Sequence, residues 1–456
     1  MRHPTQTGLA GLELIRYFRL WGNPKHLSYL KTALQEEHTE DKLHILVATR
    51  NSGSFTYDGI DVGGERVTAE IEAAIEELEK KGHQVKKLSM VGYSLGGLVA
   101  RMCIGLLFSR GWFDKIEPVN FTTFATPHLG VRTPLRGYHS YVWNALGGRV
   151  LSVSGRQLFL IDSFRDTGRP ILSILADPKS IFIQALSRFR NRVLYSNVVN
   201  DRSAPFYTCA ISKVDPYTNP EAIKIEYVKG YEPVVVVPDL PARPARQDEP
   251  HTTYSRVVGT GYTILTKIPF YAMLTVFVPI GTVVLVLSSG IQSFRSRQRI
   301  QLHESGKAGI GLGGYRIPLM IENARVAAEG TFESINTGQR QEYLSNDRGN
   351  PPGREPQTKK LSTYDDDQIS EKSGQSEDST AELTRTRSIM ELPTLALAPE
   401  QFEMIQALDD VGFRKYPVYI HKHNHSHAAI VYRRQGKSYD EGKVVVKHWL
   451  SEEFEL

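Results

Sequence analysis

Ser94 stands in the sequence Gly92-Tyr93-Ser94-Leu95-Gly96, a spacing that suits a nucleophilic serine. The apolar run 88–91 before it predicts a buried strand, and the apolar segment 98–108 after it predicts a helix. On a tight turn between a strand and a helix, a serine is held in a strained backbone, and flanking glycines remove side chains that would collide. We therefore predict Ser94 as a nucleophile, with the first N–H groups of the helix below a developing oxyanion.

Four histidines alternate late in the chain and are candidates for the general base that such a serine needs. They are His421, His423, His425 and His427. When a nucleophilic serine lies on such a turn, the acid comes later in the chain and the base comes after the acid. His427 directly precedes the apolar run 428–431, so we predict it as the base, with His425 as the second candidate. On a strand the four side chains would point one way, as in a metal site, but no cysteine or helical histidine pair completes one, so no metal is expected.

Asp201 is the predicted acid, because it follows the apolar run 192–199, which predicts a strand. Sites of open α/β sheets are built at the carboxyl ends of the strands. There the carboxylate would orient the imidazole of the base and stabilise its charged form. Asp58 and Asp61 compete for this role, but they precede the serine in a Gly-rich loop and are expected to form turns. His128, after another predicted strand, is expected to be a structural turn residue or to line the pocket.

The elements that must position these residues alternate between strands and helices. Strands are predicted over 43–48, 88–91, 121–125 and 192–199. A helix is predicted over 65–81, where apolar residues recur at helical spacing, and the segment 12–18 could be a strand or a helix end. This alternation predicts an α/β fold, with a mostly parallel sheet and helices on both faces.

The composition is that of a globular protein and excludes several functions. The 456 residues carry a formal net charge of +5, and 40% of them are hydrophobic. Because no clustered basic and aromatic stripe is present, no nucleic-acid partner is expected, whereas the mild positive charge suits an anionic membrane. Only Cys103 and Cys209 occur, which favours a reducing compartment over a disulfide scaffold or a zinc site. The N-terminal residues show no secretory signal, so we expect an intracellular protein.

Several strings resemble those of the putative serine esterase family, whose known members are α/β-hydrolase lipases. They are Leu-Trp-Gly-Asn-Pro from position 20, Asn-Ser-Gly-Ser-Phe-Thr-Tyr-Asp-Gly-Ile-Asp-Val-Gly-Gly-Glu-Arg from 51, Gly-Tyr-Ser-Leu-Gly-Gly from 92, Ala-Thr-Pro-His-Leu-Gly from 125, Asn-Asp-Arg-Ser from 200 and Ser-His-Ala-Ala-Ile from 426. The branch that the chain resembles is the fungal one of lipid-droplet phospholipases and monoacylglycerol lipases. The resemblance implies an α/β-hydrolase fold and a triad of Ser94, Asp201 and His427 that needs no cofactor.

The resemblance also implies an oxyanion hole, formed by the backbone N–H of Leu95 and an N–H near Leu20. Here the chain departs from the family pattern. The family usually carries His-Gly directly before Leu-Trp-Gly, whereas this sequence has Phe18 and Arg19. A misread gene start and a true loss of function would both produce this difference.

The segment 268–287 is twenty residues long and carries no charged side chain, which is the minimum length for a transmembrane helix. Arg295, Arg297 and Arg299 follow it as a basic flank. A single span would place Ser94 and His427 on opposite sides of the membrane. Because Pro279-Ile280-Gly281 interrupts the segment, our hypothesis is a re-entrant or interfacial hairpin that anchors the protein to one leaflet.

These features divide the chain into six segments. A hydrolase core with the nucleophile and the acid spans 1–235, and its C-terminal part with the predicted base spans 394–456. Between them we predict a linker (236–266), a hydrophobic membrane-associating segment (267–300), a helical connector (301–335) and a disordered insertion (336–393), the last from its polar, Ser-rich and charged composition.

The expected function is hydrolysis of acyl esters of glycerolipids, phospholipid or monoacylglycerol, at the surface of a lipid droplet or of the endoplasmic reticulum membrane. The sequence identifies no protein partner. The alternatives are a catalytically impaired, membrane-anchored hydrolase fold that binds lipid or a partner, and a single-pass scaffold with its two halves on opposite sides. An acyltransferase is a further alternative, because an alcohol can also capture an acyl-enzyme.

Overall fold

The computed structural model describes most of the predicted core and a short part of the chain after the apolar segment. The described residues are 11–19, 27–39, 42–48, 53–132, 152–201, 203–220, 223–238, 243–244, 294–302 and 392–456. The apolar segment 268–287 and nearly all of the predicted connector and insertion lie outside these ranges. Within them, no helix combines the length and the apolar character that crossing a membrane requires.

A six-stranded parallel sheet forms the centre of the described structure. Its strands are β1 (Gly11–Arg19), β2 (Leu43–Val47), β3 (Gln84–Tyr93), β4 (Glu117–Phe124), β5 (Asn191–Asn197) and β8 (Arg414–Val418). Two short strands, β6 (Ile223–Lys224) and β7 (Arg243–Pro244), form a separate antiparallel pair. The order across the main sheet is β2-β1-β3-β4-β5-β8, and every neighbouring pair is parallel. The predicted α/β class with a mostly parallel sheet is confirmed, and the segment 12–18 is a strand.

Alternate side chains of the strands enter two separate hydrophobic clusters, one on each face of the sheet. In β3, Met90 belongs to one cluster, and Val91 and Tyr93 belong to the other. In β5, Leu194 and Tyr195 divide between the clusters in the same way. Because both faces of the central strands are buried, even polar residues such as Ser89, Asn120 and Thr122 lie inside the protein.

Helices cover both faces, as predicted. They are α1 (Ser28–Glu37), α2 (Ile60–Lys80), α3 (Leu95–Ser109), α4 (Val153–Leu158), α5 (Ile171–Leu175), α6 (Ile181–Arg188), α7 (Phe206–Cys209), α8 (294–302), α9 (Pro399–Val411), α10 (Ser426–Ala429) and α11 (Glu441–His448). One cluster contains side chains of α2, α3, α5, α6 and α9. The other contains side chains of α1, α10 and α11.

The helix predicted over 65–81 begins earlier than predicted, at Ile60. Gly63 and Gly64 lower the helix propensity of its first turns, which explains the late predicted start. The helix nevertheless includes both glycines, because it packs closely against α3 at this point. A Cβ at position 64 would lie 2.3 Å from the Met102 side chain. Glycine at this position therefore allows α2 to pack closely against α3.

Residues 392–456 complete the sheet from the far end of the sequence. β8 pairs in parallel with β5, with Val193 opposite Arg414 and Asn197 opposite Val418. Behind the sheet, the buried Trp449 indole donates its N–H to Thr122 Oγ1 of β4 (3.1 Å). The loop that follows β8 consequently emerges at the same sheet edge as the loops that follow β3 and β5.

Candidate active site

Ser94 lies at the sharp turn between β3 and α3. Its φ and ψ angles are 56° and −134°, a conformation that costs a residue with a side chain about 1–3 kcal/mol. The Ser94 N–H donates to the Phe124 carbonyl of β4 (3.0 Å), which fixes the turn to the neighbouring strand. Glycine is needed at position 92, because a Cβ there would lie 2.3 Å from the Cα of Gly97. The turn has the geometry that presents a serine hydroxyl beyond the end of a strand.

His427 reaches Ser94 from α10, in the loop that follows β8. Its Nε2 lies 3.0 Å from Ser94 Oγ. The neighbouring Ser426 hydroxyl donates to the Val199 carbonyl just beyond β5 (2.7 Å), so the loop is held against the next strand of the sheet. His427 and Ser94 are 8% and 9% exposed. The pair is therefore largely shielded from water.

Asp201 binds the other ring nitrogen of His427. Its Oδ2 lies 2.9 Å from His427 Nδ1 and also accepts a hydrogen bond from Asn197 Nδ2 (2.7 Å). The Ala204 N–H donates to Oδ1 (2.9 Å). With the Nδ1 proton directed to the carboxylate, Nε2 is left free to accept the proton of the Ser94 hydroxyl. The three predicted side chains thus form one continuous hydrogen-bonded chain.

Of the two predicted oxyanion donors, the structure describes Leu95 but not Leu20. Leu95 is the first residue of α3, so its N–H has no acceptor within the helix. Leu20 lies outside the described residues. β1 ends at Arg19, which pairs with Tyr93, so the chain leaves β1 level with the residue before Ser94.

Residues 18–211, which contain Ser94 and Asp201, match the family described as "Putative serine esterase (DUF676)". The match covers less than half of the chain, and over these residues the chain is similar to that family. A putative lipase of Schizosaccharomyces pombe is 38% identical over 129 residues, which are 27% of this chain and 16% of that protein. The putative lipase ROG1 of Saccharomyces cerevisiae is 33% identical over 133 residues, 29% of this chain and 18% of that protein. The chain thus matches less than a fifth of the length of these relatives.

His427 lies beyond the residues of the esterase-family match, and its neighbouring histidines do not share its position. β8 ends at Val418, and the chain then turns, so the alternating histidines are not aligned as they would be on a strand. The His421 ring stacks on Tyr419 and the His423 ring lies against Tyr439, at centroid distances of 3.9 and 4.2 Å. His425, the second candidate for the base, is exposed. Among the described residues, no group of three or more His, Cys, Asp or Glu side chains is placed to hold a metal ion.

Asp58 and Asp61, the competing carboxylates, make their contacts away from Ser94 and His427. Asp58 is fully buried, and its oxygens bind Arg66 (2.8 Å), Arg299 (2.6 Å) and the Ser296 hydroxyl (2.7 Å). Asp58 does lie at a turn, where its N–H donates to the Phe55 carbonyl (3.2 Å), but the prediction did not include the buried ion pairs of its carboxylate. The predicted basic flank is also corrected at Arg299, which is buried. Arg295 and Arg297 lie exposed on α8. Asp61 accepts a hydrogen bond from Gln157 Nε2 (2.9 Å).

His128 lies in the interior of the protein, close to the end of β4. It is fully buried, and its Nε2 lies 3.0 Å from Thr123 Oγ1. Burial lowers the pKa of His128 well below its usual value, and the positive charges of Arg101 and Lys415 lower this pKa further. Within the described part of the chain, its Nδ1 has no hydrogen-bond partner. Of the two predicted alternatives, a structural turn and a pocket wall, the burial agrees with the first.

Three residues that contact the site were not identified from the sequence. Asn197 holds Asp201, and its position at the end of a predicted strand, shortly before the acid, was the available signal. The Tyr93 hydroxyl contacts His427, although Tyr93 was visible inside the Gly-Tyr-Ser-Leu-Gly string. The Glu441 carboxylate accepts the backbone N–H groups of residues 421 and 422 (both 2.9 Å) and so holds the loop that carries His427. No local sequence pattern identifies Glu441.

Proposed function

We propose that this protein is a serine esterase with an α/β-hydrolase fold that hydrolyses acyl esters of glycerolipids. Ser94 is the nucleophile, His427 is the general base and acid, and Asp201 orients and stabilises His427. The observation that carries the proposal is the hydrogen-bonded chain from Ser94 Oγ to His427 Nε2 and from His427 Nδ1 to Asp201 Oδ2. The strained backbone of Ser94 and the match to the putative serine esterase family support it further.

The reaction follows from this arrangement. Ser94 Oγ attacks the carbonyl carbon of the ester while His427 Nε2 takes the hydroxyl proton. The imidazolium, stabilised by Asp201, then gives that proton to the oxygen of the leaving alcohol as the carbon–oxygen bond breaks. Water, deprotonated by His427, attacks the acyl-enzyme, and the fatty acid leaves as Ser94 regains its proton. All bonds are made and broken by these side chains and water.

The Leu95 N–H is the proposed first donor to the oxyanion of the tetrahedral intermediates, and an N–H near Leu20 is the second. Each such donor contributes about 2.7–4 kcal/mol to lowering the barrier. A backbone N–H can serve whatever side chain stands beside it, so the hydrogen bond itself survives Phe18 and Arg19. Arginine is bulkier than the glycine of the family pattern and at this position would leave less room for a substrate. We therefore expect activity, with a rate reduced relative to relatives that carry His-Gly.

The lipid nature of the substrate is supported by the relatives described as lipases and by the uncharged segment 268–287. We propose that this segment enters a membrane or lipid-droplet surface from one side and leaves on the same side. Ser94 precedes the segment and His427 follows it, yet their reacting atoms are 3.0 Å apart. This contact favours an intracellular hairpin anchor over the single-pass scaffold, because a span would separate the two residues.

A fluorophosphonate probe tests the catalytic part of the proposal. We expect the purified full-length protein to be labelled and Ser94→Ala to remain unlabelled. Ser109→Ala is a matched control, because Ser109 is exposed at the end of the same helix and should leave labelling unchanged. Loss of folding is excluded by comparing the circular dichroism of the three proteins. A well-folded wild type that stays unlabelled would contradict the proposal and favour the catalytically impaired lipid-binding alternative.

The substrate class needs a separate assay. The labelled protein should release fatty acid from emulsified monoacylglycerol or phospholipid vesicles faster than from a water-soluble butyrate ester. The opposite order would remove the lipid part of the proposal and leave the esterase part. Tags at both ends of the chain should be equally accessible to protease in intact organelles, and one protected tag would contradict the hairpin.

A further inference from the structure

Tyr93, the residue directly before Ser94, contacts the residue that we propose as the general base. Its hydroxyl donates to the main-chain oxygen of His427 (2.5 Å), and its ring lies 5.2 Å from the imidazole at an angle of 33°. Tyr93 is fully buried in the cluster formed with α10 and α11. The side chain therefore crosses from the end of β3 to the loop that carries His427.

This contact differs from the other contacts that hold the loop. The Ser426 hydroxyl ties the loop to the chain just beyond β5, and Glu441 ties it to the start of α11. The Tyr93 hydroxyl instead ties it to β3, the strand that ends in Ser94. Because Tyr93 and Ser94 are covalent neighbours, this bond constrains the distance between the nucleophile and His427 directly.

We propose that Tyr93 is a positioning residue for the Ser94–His427 pair. Its hydroxyl fixes the backbone of His427, its ring restricts the tilt of the imidazole, and together they hold Nε2 in line with Ser94 Oγ. The inference rests on the proposed function for its catalytic consequence, whereas the placement of the imidazole can be measured without any activity. The residue acts through His427 and does not touch the reacting atoms.

Tyr93→Phe removes the hydroxyl and keeps the ring. Since a misplacement of about 1 Å can slow catalysis by about 100-fold, we expect the partial loosening to lower kcat by about 10-fold. The KM should stay within about twofold, because no substrate contact is removed. The second-order rate of fluorophosphonate labelling should fall in parallel with kcat, since it reports the reactivity of Ser94 without a lipid-binding step.

Tyr195→Phe is the matched control. Tyr195 is equally buried in the same cluster, and its hydroxyl bonds to His448 Nδ1 (2.8 Å), away from the triad. This variant should lose comparable stability against denaturant but keep the kcat and the labelling rate of the wild type. Equal losses of kcat in both variants would reduce Tyr93 to a structural role. A Tyr93→Phe enzyme with the wild-type kcat and labelling rate would overturn the proposal outright.

NMR of protein labelled with nitrogen-labelled histidine provides the readout that needs no turnover. The His427 signals, assigned by their loss in His427→Gln, should shift in Tyr93→Phe and stay unchanged in Tyr195→Phe. Unchanged His427 signals in Tyr93→Phe would overturn the positioning role even in a protein that hydrolyses nothing. An unlabelled wild type with shifted signals would reject the proposed function while leaving the structural coupling intact.

Discussion

Asp58 and Asp201 are two buried carboxylates that follow strands of the sheet, and their surroundings are opposite. Asp58 is bound by two arginines whose side chains are 8% and 7% exposed, and a serine hydroxyl adds a further hydrogen bond. Asp201 is bound by an amide, a backbone N–H and an imidazole. Guanidinium groups keep their charge, so the partners of Asp58 neutralise it permanently. The partners of Asp201 are neutral donors, which leave its charge available when His427 takes up a proton.

Both carboxylates follow strands at the carboxyl edge of the sheet, Asp58 after β2 and Asp201 after β5. Each also depends on a residue from far along the chain, since Arg299 is 241 positions from Asp58 and His427 is 226 positions from Asp201. If Asp201 has the proposed role, burial at a sheet edge alone does not make a carboxylate catalytic. The type of partner decides whether it stabilises the fold or a charge that appears during a reaction.

Replacing Asp201 should give the largest effect on activity. Asp201→Asn keeps the size of the side chain but removes the charge and can reverse the preferred tautomer of His427. The corresponding substitution in a serine protease triad lowers kcat by about 10,000-fold, and we expect a loss approaching that size. Steady-state hydrolysis of a soluble ester measures it. If Asp201→Asn kept more than about a tenth of the wild-type kcat, Asp201 would not be the acid of the triad.

The same substitution at Asp58 should instead affect folding. Asp58→Asn leaves the buried guanidinium groups of Arg66 and Arg299 without a counter-charge, which should lower the free energy of unfolding by about 3–5 kcal/mol. Urea denaturation measures the loss, and Asp410→Asn, on the exposed face of α9, is the control that should change little. The kcat per folded molecule should stay near that of the wild type. A stable Asp58→Asn variant with impaired kcat would reverse the assignment of the two carboxylates.

The three residues of the proposed triad could be picked out from the sequence because each has a local signal. Ser94 lies in a short strand–turn–helix pattern, and Asp201 and His427 are placed by chain order and by the apolar runs beside them. The Asp58 cluster has no such signal. Arg299 stands among three alternating arginines, and only the helical geometry of α8 turns it inward while Arg295 and Arg297 stay exposed.

The order of the sheet strands was equally hidden in the sequence. Alternating strands and helices predicted a parallel sheet, but pairing of β8 with β5 depends on contacts between segments more than two hundred positions apart. The start of α2 was misplaced for a related reason. Its glycines lower the local helix propensity, whereas the close contact with α3 that requires Gly64 is visible only in three dimensions.

The interaction within the Asp58 cluster can be measured by a double-mutant cycle. Arg299→Gln alone should lower the free energy of unfolding by about 1–3 kcal/mol, because Asp58 keeps Arg66 as a partner. The double variant that combines Asp58→Asn and Arg299→Gln should lose less free energy of unfolding than the two single losses added together. We expect the difference to be about 0.5–3 kcal/mol. Arg299→Gln should also speed tryptic cleavage after Arg295 and Arg297, since it loosens α8. Additive losses would show that the two side chains do not interact in solution.

The smallest expected effect concerns His128, which, unlike His427, is buried with no carboxylate partner among the residues that the structure describes. Burial lowers the pKa of His128, so the folded protein keeps it neutral, whereas an unfolded chain protonates it below about pH 6.5. The unfolded state then binds more protons, and the free energy of unfolding falls with decreasing pH by at most about 1.4 kcal/mol per pH unit. Above that pH both states are neutral and no effect remains.

His128→Gln keeps a donor near Thr123 and removes the titration, so this variant should lose less stability than the wild type between about pH 7.5 and about pH 5.5. Urea denaturation at both pH values measures the difference. The same substitution at His448 should give a smaller change of the same sign, because burial lowers the pKa of His448 while Glu453 and Glu452 raise it again. Parallel pH dependences for His128→Gln and the wild type would mean that His128 is protonated in the folded protein. In that case a buried imidazole of this fold would carry a proton with no carboxylate beside it. The argument that the protonated His427 needs the charge of Asp201 would then lose its physical basis.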